Sequence, residues 1–331
     1  MRKANTTGIH LGIDVGSVST NLVALGEDEE VLASVYLRTQ GQPIAAVQRG
    51  LIELEAQLED VPLEVGSVGT TGSARYLSGV IVGADIVKNE ITAHAVAASF
   101  VVPEVRTVLE IGGQDSKVIL LKQGVVVDFA MNTVCAAGTG SFLDHQAARL
   151  GIPIEDFGSH ALKSSSACQI AGRCSVFAES DMIHKQQMGY RVEDIIYGLC
   201  QALVRNYLNN LAKGKEIVAP VVFQGGVAAN AGMKRSFEDA LKTEVIVPKH
   251  YHVMGAIGAA LLAKDSIGNG ETKFKGFGAS SIDYRTSSFN CKGCANNCEI
   301  VKIEVEGTVL ARWGGRCGKW EVQEVEEEAA V

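Results

Sequence analysis

The sequence predicts an α/β protein made of a duplicated unit, with a small cysteine-rich module after it. Three observations lead there. The stretch "GIDVGSVSTNLVAL" near the N-terminus returns as "VLEIGGQDSKVILL", with Gly16 falling on Gly112. Apolar strands that end in glycine turns alternate with segments of helical period. Cys291, Cys294, Cys298 and Cys317 crowd near the C-terminus.

The elements follow in order. "IHLGIDVGSVSTNLVALGEDEEVLASVYLRT" reads as strand, glycine turn, strand, polar turn, strand. A helix is expected around Pro43 to Leu58, and "EVGSVGTTGSARYLSGVI" is strand, turn and short helix. From Thr107 the meander repeats. In both copies an apolar strand carries an acid (Asp14, Glu110), then a glycine turn, a hydroxyl (Thr20, Ser116), a second strand, a polar turn and a third strand. Recurrence of a whole meander is far less common by chance than one similar strand pair. "RVEDIIYGLCQALVRNYLNNLAK" has apolar residues at helical spacing. "IVAPVVFQGGVAAN" is a buried strand running into a Gly-Gly turn, followed by "AGMKRSFEDALK" as helix, "TEVIVP" as strand and "VMGAIGAALLAK" as a small-residue helix. The expected organisation is a lobe at 1–105, a second lobe at 106–264, a linker at 265–288, a cysteine-rich module at 289–322 and an acidic tail at 323–331.

Composition narrows the function classes. The chain has 331 residues, room for about two domains. Hydrophobic residues make up 47% and charged residues 21%, as in ordinary globular proteins. A net charge of −8 disfavours a general nucleic-acid surface, so any phosphate site must be built locally from amides and a few cations. No apolar run approaches the ~20 residues that span a bilayer. "MRKANTTGIH" has no apolar stretch behind its basic residues, so neither a signal peptide nor a membrane partner is expected. The expected compartment is the cytoplasm, where thiols stay reduced; eight cysteines there argue for metal or redox chemistry over disulfides.

Three glycine turns each follow an apolar strand: "DVGSVST", "EIGGQDS" and "FQGGVAAN". Backbone amides at such turns point at phosphate oxygens, and glycine lets the phosphate come close. Candidate contacts are Gly16, Ser17, Ser19 and Thr20, then Gly112, Gly113, Gln114 and Asp115, then Gly225 and Gly226. An acid beside a turn, Asp14 or Asp115, would hold Mg²⁺. No Walker-type G-x-x-x-x-G-K-[ST] or spaced G-x-G-x-x-G occurs.

Cys135 precedes "AAGTGSFLDHQAARL" and Cys174 precedes "SVFAESDMIHKQQ", each at the expected start of a helix. A helix N-terminus carries roughly half a positive charge, which favours a thiolate or a bound anion. A [4Fe–4S] cluster wants four thiolates; a two-fold pair of chains would complete a set from two. On the residues alone, each thiol is equally readable as a small buried hydrophobe. Glu179, one turn into the second helix, would orient a water for hydrolysis or cap the helix electrostatically. Cys168 reads as loop or core, Cys200 as core, and His145 and His184 as solvated. Cys291-x₂-Cys294-x₃-Cys298 with Cys317 offers four soft ligands for Zn²⁺ or a second iron–sulfur cluster, around a hairpin "EIVKIEVEGTVLARW".

The three turns resemble those of the superfamily of actin, sugar kinases and heat-shock chaperone ATPases. "GIDVGSVST" looks like its first phosphate loop, "EIGGQDSK" its second and "FQGGVAANAGM" its adenosine-contacting turn. The resemblance implies two duplicated α/β lobes with ATP or ADP and Mg²⁺ in the cleft between them. More closely, "NTVCAAGTGSFLDHQAARLGI", "GRCSVFAESDMI" and "VFQGGVAANAGM" resemble the activators of 2-hydroxyacyl-CoA dehydratases and the ATPase subunits of benzoyl-CoA reductase, over about Ile9 to Lys264. That resemblance implies an oxygen-sensitive homodimer in which Cys135 and Cys174 bind one shared [4Fe–4S] cluster. ATP would then drive a low-potential electron from a ferredoxin or flavodoxin to a partner iron–sulfur enzyme, a 2-hydroxyacyl-CoA dehydratase or a double-cubane-cluster protein. Gly138, Thr139 and Gly140 would lie at a helix start between nucleotide and cluster. Compact activators lack the C-terminal module, which leaves the subgroup open. The competing readings are a small-molecule kinase and a chaperone-like reactivating ATPase of the same superfamily.

Overall fold

The structure, a computed structural model, describes residues 7–59, 63–132, 134–268 and 270–320. The acidic tail expected at 323–331 lies outside them. The chain divides into two compact units, Met1–Glu90 with Gly255–Val331, and Ile91–Met254. No helix among the described residues is long and apolar enough to cross a membrane.

The first unit holds β1 (Thr7–Val15), β2 (Ser19–Gly26), β3 (Val31–Arg38), α1 (Pro43–Gln57), β4 (Leu63–Thr71), α2 (Arg75–Val82) and β5 (Ile86–Val87). Its sheet order is β3-β2-β1-β4-β5. α1 starts on Pro43, whose fixed φ suits a first helical position, and buries Val47, Leu51 and Leu54 at helical spacing. α2 stops at Gly83 in the left-handed region, at φ +71°.

In the second unit, α3 (Glu90–Val101) leads to β6 (Thr107–Ile111), β7 (Ser116–Lys122) and β8 (Val125–Asn132). Then come α4 (Gly140–Leu150), α5 (Ile154–Leu162), α6 (Ser175–Gln187), α7 (Val192–Asn210), β9 (Val221–Gln224), α8 (Ala231–Leu241) and β10 (Val245–Ile246). The order β10-β9-β6-β7-β8 is the first sheet's order, element for element. The register repeats too: Val15 pairs with Thr20, and Ile111 with Ser116. Both pairs are where aligning Gly16 on Gly112 puts them, so the internal repeat reads out as structure. α7 lies over this unit's core with Ile196, Leu203 and Tyr207, packed with Phe157, Phe223 and Phe237.

The unit boundaries differ from the expected lobes in two places. α3 joins the second unit because Ile91, Ala95 and Ala98 pack with Val108, Ile119 and Val222. α9 (Met254–Ile267) joins the first unit, except for Met254. Its small residues let its backbone lie on the sheet: a Cβ on Gly12 would come within 1.8 Å of Ala256 O, and one on Gly69 within 2.1 Å of Ala259 O.

The expected linker at 265–288 is docked along the first unit. Lys273 N donates to Asp85 Oδ1 at 2.7 Å, Lys275 N to Val82 O at 2.9 Å, and Gln48 Nε2 to Ile282 O at 2.8 Å. β11 (Tyr284–Asn290) starts inside it and pairs with β12 (Glu299–Val305), which pairs with β13 (Thr308–Trp313). The expected hairpin is therefore two strands of a three-stranded sheet, turned at Glu306 and Gly307, both at positive φ. The sheet is anchored to the first unit's core through Tyr284, Ile303 and Ala311.

Candidate functional site

The first glycine turn closes by Gly16 N donating to Ser19 O at 2.9 Å, and the second by Gly112 N donating to Asp115 O at 3.0 Å. The two turns are thus the same bonded loop on the same strand pair. Gly16 and Ser19 are half-buried and Ser17 is exposed. Thr20 is buried, and its hydroxyl bonds that of Thr39 at 2.9 Å; Thr39 Oγ1 in turn donates to Gly16 O at 3.0 Å. Thr20 is therefore tied into the loop from its inner side. Asp14 is half-buried at the end of β1, with its Oδ1 against Gly72: a Cβ there would lie 2.5 Å away.

At the second turn, Gly112 and Gly113 are half-buried and Gln114 is exposed. Asp115 Oδ2 pairs with Lys117 Nζ at 3.0 Å, and Lys117 also pairs with Glu110 at 2.9 Å. Glu110 and Lys117 are buried, so each satisfies the other in low dielectric. Gly225 turns beside them at φ +89°, where a Cβ would sit 2.5 Å from Ile111 O and 2.7 Å from Glu110 Oε1. Gly226 is exposed.

The start of α4 is bonded to the second turn. Gly140 N donates to Gly112 O at 2.9 Å and Ser141 N to Gly113 O at 2.8 Å. Ser141 Oγ also donates to Gly113 O at 2.5 Å. Buried Thr139 bonds back to Ala136 O. These bonds correct the expectation at Cys135. That residue caps only a three-residue 3₁₀ turn, Ala136–Gly138, because Thr139 is extended and delays α4 to Gly140. The leading amides of α4 are spent on the glycine turn. Cys174 does stand at the N-cap of the 13-residue α6.

Both cysteine segments meet one residue of α7. Asn206 is 2% exposed; its Nδ2 donates to Gly172 O at 2.6 Å and reaches Arg173 O at 3.5 Å. A Cβ on Gly138 would lie 2.9 Å from Asn206 Oδ1. Asn132 holds the other side, with Nδ2 on Cys135 O at 2.7 Å and Oδ1 accepting from Cys135 N at 2.9 Å. Tyr207 Oη donates to Lys117 O at 2.5 Å, so α7 also braces β7. Sequence reasoning missed Asn206, Tyr207 and Lys117. Two adjacent polar residues on an otherwise buried helical stripe were the signal available for the first two.

Glu179 bonds across to α4: one carboxylate oxygen pairs with Arg149 and the other with His145 Nδ1, the latter at 3.3 Å. Through both oxygens Glu179 ties α6 to α4. His145 is solvent-exposed, as expected, and also lies against this carboxylate.

Cys135 and Cys174 are half-buried free thiols. Cys168 and Cys200 are core residues: burial raises the Cys168 thiol and pushes that of Cys200 up to about 12. Among the described residues no three His, Cys, Asp or Glu side chains form a group able to hold a metal ion. The segments that carry Cys135 and Cys174 thus both reach the Asn206 junction. The C-terminal cysteines are not gathered as one ligand set. Cys291 N donates to Cys298 O at 2.8 Å, while Cys294 and Cys317 are exposed. Cys291 Sγ accepts from Trp320 Nε1 at 3.2 Å; this bond, with help from the Gly293 amide, holds its thiol below the usual range.

Comparison with known proteins fits this geometry. Residues 11–263 match the family model of the BadF/BadG/BcrA/BcrD ATPase family. The 2-hydroxyisocaproyl-CoA dehydratase activator of Clostridioides difficile is 34% identical, over 80% of this chain and 98% of that protein. The (R)-2-hydroxyglutaryl-CoA dehydratase activating ATPase of Acidaminococcus fermentans is 37% identical, over 76% and 96%. The solved structure of the Clostridium difficile activator, with bound ADPNP, superposes with a TM-score of 0.72 at 34% identity, covering 78% of this chain and 94% of that one. The fold is accordingly the duplicated α/β fold of that activator, with a small three-stranded sheet added at the C-terminus. With the match spanning both copies of the repeat, the glycine turns and both cysteine segments, the chain belongs to the BadF/BadG/BcrA/BcrD ATPase family.

Proposed function

We propose that the chain is an ATP-hydrolysing activator that delivers low-potential electrons to an iron–sulfur enzyme, and that two copies share one [4Fe–4S] cluster through Cys135 and Cys174. The observation that carries this reading is the bonding of the second glycine turn to the start of α4. Gly112 O and Gly113 O accept from Gly140 N and Ser141 N, a few residues beyond Cys135. A shift of the turn would pull on the cysteine segment through backbone bonds, without a long relay.

In this reading the turns Gly16–Ser19 and Gly112–Asp115 offer amides to phosphate oxygens, and Gly225 and Gly226 flank the adenosine. Asp14 serves Mg²⁺, directly or through water. Asp115, paired with Lys117, sets the charge of the second turn. Gly138 keeps the space beside Asn206 open, and Thr139 fixes the break between the 3₁₀ turn and α4. Cys174 sits at the N-terminus of α6, whose partial positive charge favours a bound anionic cluster. A bound [4Fe–4S] cluster would supply one-electron chemistry at low potential. Among the described residues Asn132 and Asn206 hold the two cysteine segments in register, and Glu179 with Arg149 locks α4 to α6.

The relatives' names support a 2-hydroxyacyl-CoA dehydratase as the partner; a double-cubane-cluster protein is the alternative. A ferredoxin or flavodoxin in the cytoplasm is the proposed donor. For the C-terminal module we propose Zn²⁺ or a second cluster on Cys291, Cys294, Cys298 and Cys317, supported by their spacing and by the two N–H groups on Cys291 Sγ. The test is anaerobic purification with iron and sulfide assays, the absorbance at about 400 nm, and ATP hydrolysis. Cys135→Ala should lose the core cluster and keep ATP binding. A colourless protein that hydrolyses ATP would leave the ATPase and remove the electron-transfer half.

A further inference from the structure

The segment just before Cys174 and the end of α7 border an open polar cavity of about 650 Å³. Arg173, Arg205 and Lys213 line it, with the amide of Asn209. The three cations are exposed, and none is paired with a carboxylate among the described residues. On a chain of net charge −8, three unoffset positive charges around one cavity are a local exception. Of the three, Arg205 has a partner in the fold: its Nη2 donates to Ile170 O at 2.6 Å. Guanidinium groups and amides are donor-only or donor-rich partners for carboxylates, with Arg able to grip them bidentately. Arg173 is bonded in sequence to the cysteine that the proposed function makes a redox ligand.

We propose that this cavity is a docking site for the acidic face of a small one-electron carrier protein, whose carboxylates sit among Arg173, Arg205 and Lys213 next to Cys174. The proposal rests on the cluster reading of Cys135 and Cys174 for its purpose, but the docking itself is an equilibrium between charged surfaces. Paired charges of this kind speed encounter and make affinity fall with salt.

The experiment measures binding of a small acidic [4Fe–4S] ferredoxin to the anaerobically purified full-length chain by interferometry, at low and high ionic strength. Iron is assayed on the same samples. Arg205 is left in place because it also holds Ile170 O. The double variant Arg173→Gln/Lys213→Gln should weaken binding about tenfold at low salt and flatten the salt dependence. Arg285→Gln, an exposed cation of the C-terminal module, should change neither. Lys213→Glu alone should weaken binding in the same direction, so the result does not depend on the double variant folding. Unchanged affinity in the double variant, or an equal loss in Arg285→Gln, overturns the proposal. So does pyrophosphate that binds the cavity without displacing the ferredoxin, which would assign the site to a free phosphate compound. An iron-free chain that still binds the ferredoxin through these residues keeps the docking and sinks the cluster reading. An iron-loaded chain whose binding ignores them does the reverse.

Discussion

Asn206→Ala tests whether one buried amide registers both cysteine segments. In the wild type, Asn206 Nδ2 donates to Gly172 O at 2.6 Å and to Arg173 O at 3.5 Å, in a site 2% exposed. Removing it deletes one good hydrogen bond, worth about 1 kcal/mol, and leaves a part-buried carbonyl short of its donor at about 1 kcal/mol, the low end of the range because the carbonyl borders an open cavity. The void beside Gly138 adds a smaller term. The expected local loss is about 2–3 kcal/mol, or roughly 30- to 150-fold in the opening equilibrium. Amide hydrogen exchange, resolved by peptide, reads this directly. Peptides covering 170–174 should exchange faster by that factor and 134–138, which Asn206 meets at Gly138, by a smaller one, while β1 and β2 stay unchanged. Arg205→Gln is the matched control, because the Arg205 guanidinium bonds Ile170 O and not the Cys135 segment; it should loosen 170–174 alone. If Asn206→Ala accelerates one segment and leaves the other at the wild-type rate, Asn206 is not a shared strut.

Three further outcomes follow from the same geometry. His94 is buried against Gln224, and burial, with Lys117 nearby, lowers its pKa to about 3. The unfolded chain therefore binds a proton that the folded chain refuses between pH ~6.5 and ~3, so stability falls as pH drops through that window. At pH 5 the loss is about 2 kcal/mol, and denaturant midpoints for His94→Gln should show a flatter acid limb than the wild type. Gly225→Ala meets Ile111 O at 2.5 Å with φ at +89°; nucleotide affinity, measured calorimetrically, should fall at least tenfold, and a wild-type Kd would refute a role for that turn. Glu179→Gln weakens the Arg149 and His145 ties. ATP turnover should slow less than about tenfold while exchange in α4 and α6 rises; a loss of about 10²-fold or more with normal exchange would make Glu179 a water-orienting group.

The repeat was legible in the sequence because its glycine, acid and hydroxyl positions recur on one register, and Val15–Thr20 and Ile111–Ser116 pair accordingly. Glycine turns and cysteine segments were legible for the same reason: their residue types are restrictive. What stayed hidden depends on long-range packing. Nothing local says that α9 packs against Gly12 and Gly69, or that Ile303 and Ala311 finish the first unit's core. Cys135 misled because its flanking small residues read as a helix start, while extended Thr139 moved that start to Gly140. Asn206 and Lys117 were invisible because a buried polar residue on an apolar face declares its partner only once the fold brings that partner in.

The central claim is that Cys135 and Cys174 of two chains hold one cluster. The direct measurement is native mass spectrometry of anaerobically purified protein, with iron and sulfide counted in the wild type and in Cys135→Ala. The account predicts a dimer, and a difference between the two samples of about four iron and four sulfide per two chains, with any metal of the C-terminal module cancelling in the subtraction. Equal iron in both samples, or a wild type free of iron, would contradict it.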